Sequence, residues 1–138
     1  MRTPLLLDTC AAIWIAEDQP IARQAEDRLG QALAAGDPVY ISPITAWELG
    51  VLVSRGRMNL LMSPWRWFER LLEAPGIHLA ELSPQVLIAS SFLPGTPPRD
   101  PADRILAATA RECGYQLTTR DGLLLSYGEQ GHIQVLSC

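Results

Sequence analysis

A chain of 138 residues that is 48% hydrophobic is long enough to bury a core of its own, and it reads as one domain spanning residues 1–138. Its net charge is −4, its pI is near 5.1, and all 11 of its basic residues are arginine. Bulk charge therefore does not advertise a nucleic-acid binder, any mechanism that needs a lysine is excluded, and no apolar stretch approaches the length of a membrane span.

In chain order, Pro4–Leu7 is a short continuous apolar run suited to a buried parallel strand. Arg2 is the only basic residue before it and Asp8 interrupts it at once, which argues against a secretory leader. Thr9 to Ala16 reads as a helix, and Ile21 to Ala35 as a second, with Ile21, Ala25, Leu29 and Leu33 at a spacing of four. Gly36-Asp37-Pro38 ends that helix and Val39–Ile41 is the next strand. Ser42-Pro43 opens a helix that stops around Ser54 to Gly56, with Ser as cap and Pro at the first helical position. A segment rich in large apolar groups follows, from Met58 to Leu72, with a helix begun by Ser63-Pro64. Trp65, Trp67 and Phe68 are too closely spaced to face inward together, so one exposed aromatic would mark a partner surface. Ile77 to Ala80 is a third strand, and Ser83-Pro84 starts a helix reaching about Phe92. A stiff loop, Pro94-Gly95-Thr96-Pro97-Pro98, leads to a helix from Asp100-Pro101 to about Cys113. Gly114 stops it. Tyr115 to Thr118 is a fourth strand, Asp121-Gly122 turns into a short helix, and His132 to Leu136 is the last strand.

Strands and helices alternate throughout, which implies an α/β fold with a parallel sheet covered on both faces. In such sheets functional groups gather at the carboxyl ends of the strands. Cys10, Cys113 and Cys138 are an odd number without CxxC spacing, and read as reduced thiols of a cytoplasmic protein. His78 and His132 have no ligand-type neighbour in sequence, and His78 falls in a strand, so neither is taken as catalytic.

The acids carry more information. Asp8 closes the first strand, where it could simply cap the following helix. Glu48 lies inside its helix, with Ile44, Val51 and Leu52 three and four residues away, so it belongs to an apolar stripe. An ionised carboxylate buried there unpaired would cost several kcal/mol, so it needs a distant arginine, a proton or a metal. Asp100 and Asp103 frame RDPADRILAATA. Both have a capping explanation, yet two acids are more than capping needs. Ala107, Ala108 and Ala110 would let this helix lie close to its neighbour and bring Asp103 toward Asp8. Asp121 follows the fourth strand. A doubly wound sheet would gather Asp8, Glu48, Asp103 and Asp121 in one cleft. Four carboxylates so placed repel one another unless a hard divalent cation joins them, and Mg²⁺ or Mn²⁺ fits best.

The sequence resembles the PIN-domain nucleases, specifically the VapC-type toxins of bacterial toxin–antitoxin pairs. The resemblance rests on LLLDT at 5–9, ISPITAWELG at 41–50, DPADRILAATA at 100–110 and LTTRD at 117–121, in family order over nearly the whole chain. It implies the PIN α/β/α sandwich and metal-dependent endoribonuclease activity, with Asp8, Glu48, Asp103 and Asp121 as the acidic quartet. Asp100, Thr9 and Thr119 would be auxiliary, and Ser42 is at least as well explained as a helix cap. Where the family often has a histidine before this acidic segment, the chain has Pro97-Pro98-Arg99. A carboxylate-held Mg²⁺ would activate a water for in-line attack on phosphorus, leaving 5′-phosphate and 3′-hydroxyl ends. Arg99, Arg104 and Arg120 could meet flanking phosphates, or form surface ion pairs such as Asp100 with Arg104. The resemblance further implies a homodimer masked by a VapB-type antitoxin, with DNA reached only through that antitoxin.

Other acidic-pocket folds fit less well. A phosphoryl-receiver domain requires a lysine, and a haloacid-dehalogenase-type phosphatase requires DxD where this chain has Asp8-Thr9-Cys10. A non-catalytic PIN-like scaffold, acting only by binding, stays as the alternative.

Overall fold

Three leucines with no polar interruption form the middle of the molecule. The computed structural model describes residues 3–138. It runs β1 (Leu5–Leu7), α1 (Thr9–Ala16), α2 (Arg23–Ala35), β2 (Val39–Ile41), α3 (Pro43–Ser54), α4 (Pro64–Glu73), β3 (Ile77–Leu79), α5 (Pro84–Ala89), α6 (Pro101–Cys113), β4 (Gln116–Thr119), α7 (Gly122–Glu129) and β5 (Gln134–Ser137). The strands form a five-stranded sheet in the order β3-β2-β1-β4-β5, every pair parallel. Leu7 lies opposite Ile41 on one side and Thr118 on the other, so β1 is central. Its three side chains are fully buried, each stabilising the fold by about 1.5–3 kcal/mol.

The sheet is covered on both faces, the α/β/α arrangement expected from the alternating pattern. Leu5, Leu7, Val39 and Ile41 pack on one face with Ala11, Ala25, Leu49, Trp67 and Phe68. Leu6 and Leu117 pack on the other with Leu106, Ala107, Leu124 and Tyr127. From β1 the chain winds outward to β2 and β3, then crosses back to β4 on the other side. The β1–β4 junction is therefore the switch point, and a crevice opens there beyond the strand ends.

Local chemistry explains the helix starts. Ser42, Ser63 and Ser83 each cap a helix whose next residue is proline, their hydroxyls accepting from the N–H of Ile44, Arg66 and Val86. Asp8, Asp100 and Asp121 do the same for α1, α6 and α7.

Some boundaries differ from expectation. α2 begins at Arg23 rather than Ile21, because the Ala22 N–H is drawn to the Cys138 carbonyl at 2.9 Å. Ala32 rather than Leu33 completes its inner face, and Leu33 is half-exposed. A spacing of four overshoots the helical turn, so Leu33 lies about 80° from Ala25 and Ala32 only about 20°. Tyr115 lies in the turn that caps α6, its N–H bonded to the Ala110 carbonyl beyond the left-handed Gly114, and β4 starts one residue later. His132 sits in a turn, and β5 starts at Gln134. β3 ends at Leu79 as the edge strand, with His78 exposed on it. α5 ends at Ala89, and single turns carry the chain on to Phe92. Trp67 and Phe68 are buried while Trp65 is 66% exposed, so the aromatic trio divides between core and surface.

One buried polar group is out of place. The Thr118 hydroxyl is fully buried without a hydrogen-bond partner. Thr118→Val keeps the branched shape a strand favours and removes the orphan, so it should stabilise the protein by about 1 kcal/mol in a chemical unfolding titration. Unchanged or lower stability would show that the hydroxyl has a partner in solution.

Candidate active site

Asp8 stands at the carboxyl end of the rigid central strand, and its own N–H continues the ladder to the Thr118 carbonyl at 3.0 Å. It is buried, 6% exposed. Oδ1 accepts from the Ala11 N–H at 2.7 Å, and Oδ2 accepts from the Thr119 hydroxyl at 2.6 Å. The one carboxylate thus caps α1 through one oxygen and is held to β4 through the other. Burial pushes its pKa up, the bonds from Thr119 and Ala11 pull it back, and the Asp121 charge raises it further. Thr119 also accepts from the Asp121 N–H at 3.0 Å, which ties the ends of β1 and β4 together.

Glu48 reaches the crevice from α3, half-buried. Its Oε1 accepts from the Thr9 hydroxyl at 2.5 Å, so the partner is a threonine and not an arginine. Burial raises its pKa, the Thr9 bond lowers it, and the Asp100 and Asp8 charges raise it. Asp100 is exposed and caps α6, accepting from the Asp103 N–H at 3.0 Å. Asp103, one turn in, is half-buried, and its pKa is pushed up to about 7 by burial first, then by the charges of Asp100, Asp121, Glu48 and Asp8. Asp121 is exposed, its Oδ1 accepting from the N–H groups of Leu123 and Leu124 at 3.0 Å each.

Cys10, in the first turn of α1, registers the convergence. Burial and then the charges of Asp8, Glu48, Asp103 and Asp121, in that order, push its thiol pKa up. The four acids share one electrostatic neighbourhood. They do not form a closed cage: among the described residues, no three of the Asp, Glu, His or Cys side chains stand together closely enough to hold an ion. The N–H groups of a helix end donate to Asp8, Asp100 and Asp121, and the Thr9 hydroxyl donates to Glu48.

One expected ion pair is absent among the described residues. Arg104 does not pair with Asp100. Its Nε donates to the Ser90 carbonyl at 2.9 Å and its Nη1 to the Pro98 carbonyl at 3.2 Å, anchoring the loop before α6. Arg120 lies 3.9 Å over the Trp14 ring, and its Nη2 donates to the Cys138 carbonyl at 2.8 Å. Both guanidinium groups bond to backbone carbonyls; Arg99 and Arg120 are exposed, Arg99 beside Asp100, and Arg104 is half-buried. Gly95 in the same loop has φ +68°, and a side chain there would run into the His132 ring, which leans on Tyr127. Sequence reasoning missed Thr45, fully buried on α3 with its hydroxyl 3.1 Å from that of Thr9. The available signal was its position, three residues before Glu48 on the same helical face.

An open parallel sheet with acids gathered at its switch point is the arrangement of a PIN domain. Residues 5–129 match the PIN domain family, and the chain belongs to it. Within that family it is of the VapC type: it is 33% identical over 126 residues, 91% of this chain and 92% of the relative, to Ribonuclease VapC22 of Mycobacterium tuberculosis (strain ATCC 25618 / H37Rv). Its fold is similar to that of VapBC2 from Rickettsia felis, solved bound to a DNA fragment from their promoter, with a TM-score of 0.69 and 13% identity over 97% of this chain and 98% of that one.

Proposed function

We propose that this chain is a Mg²⁺-dependent endoribonuclease, with Mn²⁺ able to substitute, acting as the toxin of a VapBC-type pair and silenced by a VapB-type antitoxin. One observation carries the reading: carboxylates from four separate elements converge at the sheet's switch point, where burial first, then the charges of Asp100, Asp121, Glu48 and Asp8, push the Asp103 pKa up to about 7. The names of the relatives support it, one a ribonuclease and the other a VapBC complex on promoter DNA.

The donor set fits a hard divalent cation. Every candidate ligand is a carboxylate oxygen, and the chain has no lysine to neutralise them. Asp8, Glu48, Asp103 and Asp121 would hold the ion. When bound, such an ion lowers the pKa of a water and polarises a phosphoryl oxygen. The chain's own residues set the geometry. Thr119 and the α1 N–H groups fix Asp8, Thr9 fixes Glu48, and Asp100 caps the helix that carries Asp103. A phosphodiester entering the crevice is attacked in line by water, the 3′ oxygen leaves, and the ends are 5′-phosphate and 3′-hydroxyl. Arg99, exposed beside Asp100, meets a flanking phosphate, the role that Arg104 and Arg120 are too occupied to fill. Charge neutralised at the site lets a protein of net charge −4 accept RNA. The protein works in the cytoplasm as one PIN domain, pairs as a homodimer, and meets DNA only through the antitoxin. Trp65 belongs to a partner surface. No described helix is long and apolar enough to cross a membrane.

Purified protein freed of antitoxin should cleave RNA in Mg²⁺ and stop in EDTA or on adding the antitoxin, with 5′-phosphate ends on the products. The second reading, a non-catalytic scaffold, is favoured by Asp8, Glu48 and Asp121 each having a local donor. Failure to cut transfer, ribosomal or messenger RNA in either Mg²⁺ or Mn²⁺ would leave that reading standing.

A further inference from the structure

We infer that Thr45 is a positioning residue for Glu48: its hydroxyl donates to Thr9, and this commits the single hydroxyl proton of Thr9 to the Glu48 carboxylate. The inference rests on the reading of Glu48 as a metal ligand. The Thr9 Oγ1 to Glu48 Oε1 distance is 2.5 Å, in the range of a hydroxyl bonded to an ionised carboxylate. An ionised carboxylate only accepts, so Thr9 is the donor. A hydroxyl has one proton. The second contact of Thr9, to Thr45 Oγ1 at 3.1 Å, must then be one in which Thr9 accepts and Thr45 donates. The chain of bonds has one direction, from Thr45 through Thr9 to Glu48.

A second threonine supplies the contrast. A buried threonine within a helix commonly donates to the carbonyl four residues before it. Thr109 in α6 does this, to Ile105 at 2.7 Å. Thr45, in the first turn of α3, has no carbonyl of its own helix four residues before it: that residue is Ile41 of β2, whose carbonyl accepts from the Ala80 N–H at 2.8 Å. Its hydroxyl lies instead 3.1 Å from that of Thr9 on α1, and it is fully buried there. Thr9 is itself buried, so water does not readily replace either hydroxyl. The bonds span α3 to α1 and back to α3, which fixes the Glu48 rotamer against both helices at once. Groups that orient a metal ligand in this way commonly affect metal affinity by about 10–100-fold.

The test uses the full chain and Mn²⁺ as probe, with free Mn²⁺ read by electron paramagnetic resonance, alongside the Mg²⁺ dependence of RNA cleavage. Thr45→Val, equal in shape, should weaken Mn²⁺ binding about 10-fold and raise the half-saturating Mg²⁺ by a similar factor. Turnover at saturating Mg²⁺ should be largely retained, and the melting temperature should not fall. Thr45→Ser, which restores the hydroxyl, should return both titrations toward wild type. If Thr45→Val does not fold, Thr45→Ala is compared with Thr45→Ser in the same titrations. Unchanged Mn²⁺ affinity in Thr45→Val overturns the inference, as does a Thr45→Ser variant no better than Val, which would make the role one of packing. A wild-type protein that binds no Mn²⁺ overturns both this inference and the metal-dependent reading beneath it.

Discussion

Asp8→Asn should reduce Mg²⁺-dependent RNA cleavage by about 10³-fold or more while leaving the protein folded and, at pH 8 without metal, more stable than wild type. The rate loss corresponds to about 4 kcal/mol of barrier, the scale of removing a charge aimed at the reacting centre. Asn keeps an oxygen for the Ala11 N–H, so the start of α1 survives. Thr119 can turn its hydroxyl to accept from the new amide, since a hydroxyl both donates and accepts. What disappears is a buried negative charge, its pKa held up first by burial and further by the nearby Asp121 charge. On the proposed reading Asp8 serves function at the expense of stability, as polar groups at active sites commonly do. Single-turnover cleavage of labelled RNA, together with a thermal melt in EDTA, reads both halves. Activity within tenfold of wild type would remove Asp8 from the site.

The pH dependence of stability should be inverted relative to a protein held by ion pairs. Metal-free protein should melt at a higher temperature at pH 5 than at pH 8. Asp8, Glu48 and Asp103 all have pKa values raised by folding, Asp103 from 3.8 to about 7. Between those values the folded protein binds more protons than the unfolded chain, so stability falls as pH rises. The stabilisation is complete below the ordinary carboxylate range and is lost as pH climbs through about 7. Divalent metal reverses the trend because it binds the ionised acids in the folded state alone. Mg²⁺ at a hundred times its dissociation constant adds about 2.7 kcal/mol at pH 8, a rise of about 8 °C for a chain of this size. At pH 5 protons compete and the rise shrinks. Asp103→Asn should flatten the metal-free profile. Calorimetry at both pH values, with EDTA and with Mg²⁺, checks the sign; metal-free protein more stable at pH 8 would contradict it.

The architecture was legible because alternation and capping are local signals. Ser42-Pro43, Ser63-Pro64 and Ser83-Pro84 announce helix starts within a residue or two, and the continuous apolar run Leu5–Leu7 announces a central parallel strand. Asp8 and Asp121 lie directly after strands, so the topology alone sends them to one edge. The arginines were not legible. Arg104 finds its carbonyls 6 and 14 residues earlier, in a loop whose path no periodicity encodes. Arg120 finds Trp14 and the last residue of the chain. The hydroxyl network was half legible. Thr9 and Thr119 sit beside acids in sequence, whereas Thr45 matters only because its proton leaves its own helix for another.

Diffraction from crystals grown with Mn²⁺, recorded at the manganese edge, tests most directly whether these carboxylates share an ion. The predicted result is an anomalous peak at the switch point, about 2.1 Å from Asp8 and at least one of Glu48, Asp103 and Asp121, with Asp103 turned toward it. A strong peak only elsewhere on the protein, or Mn²⁺-saturated crystals with no peak among these four residues, would contradict the proposed site.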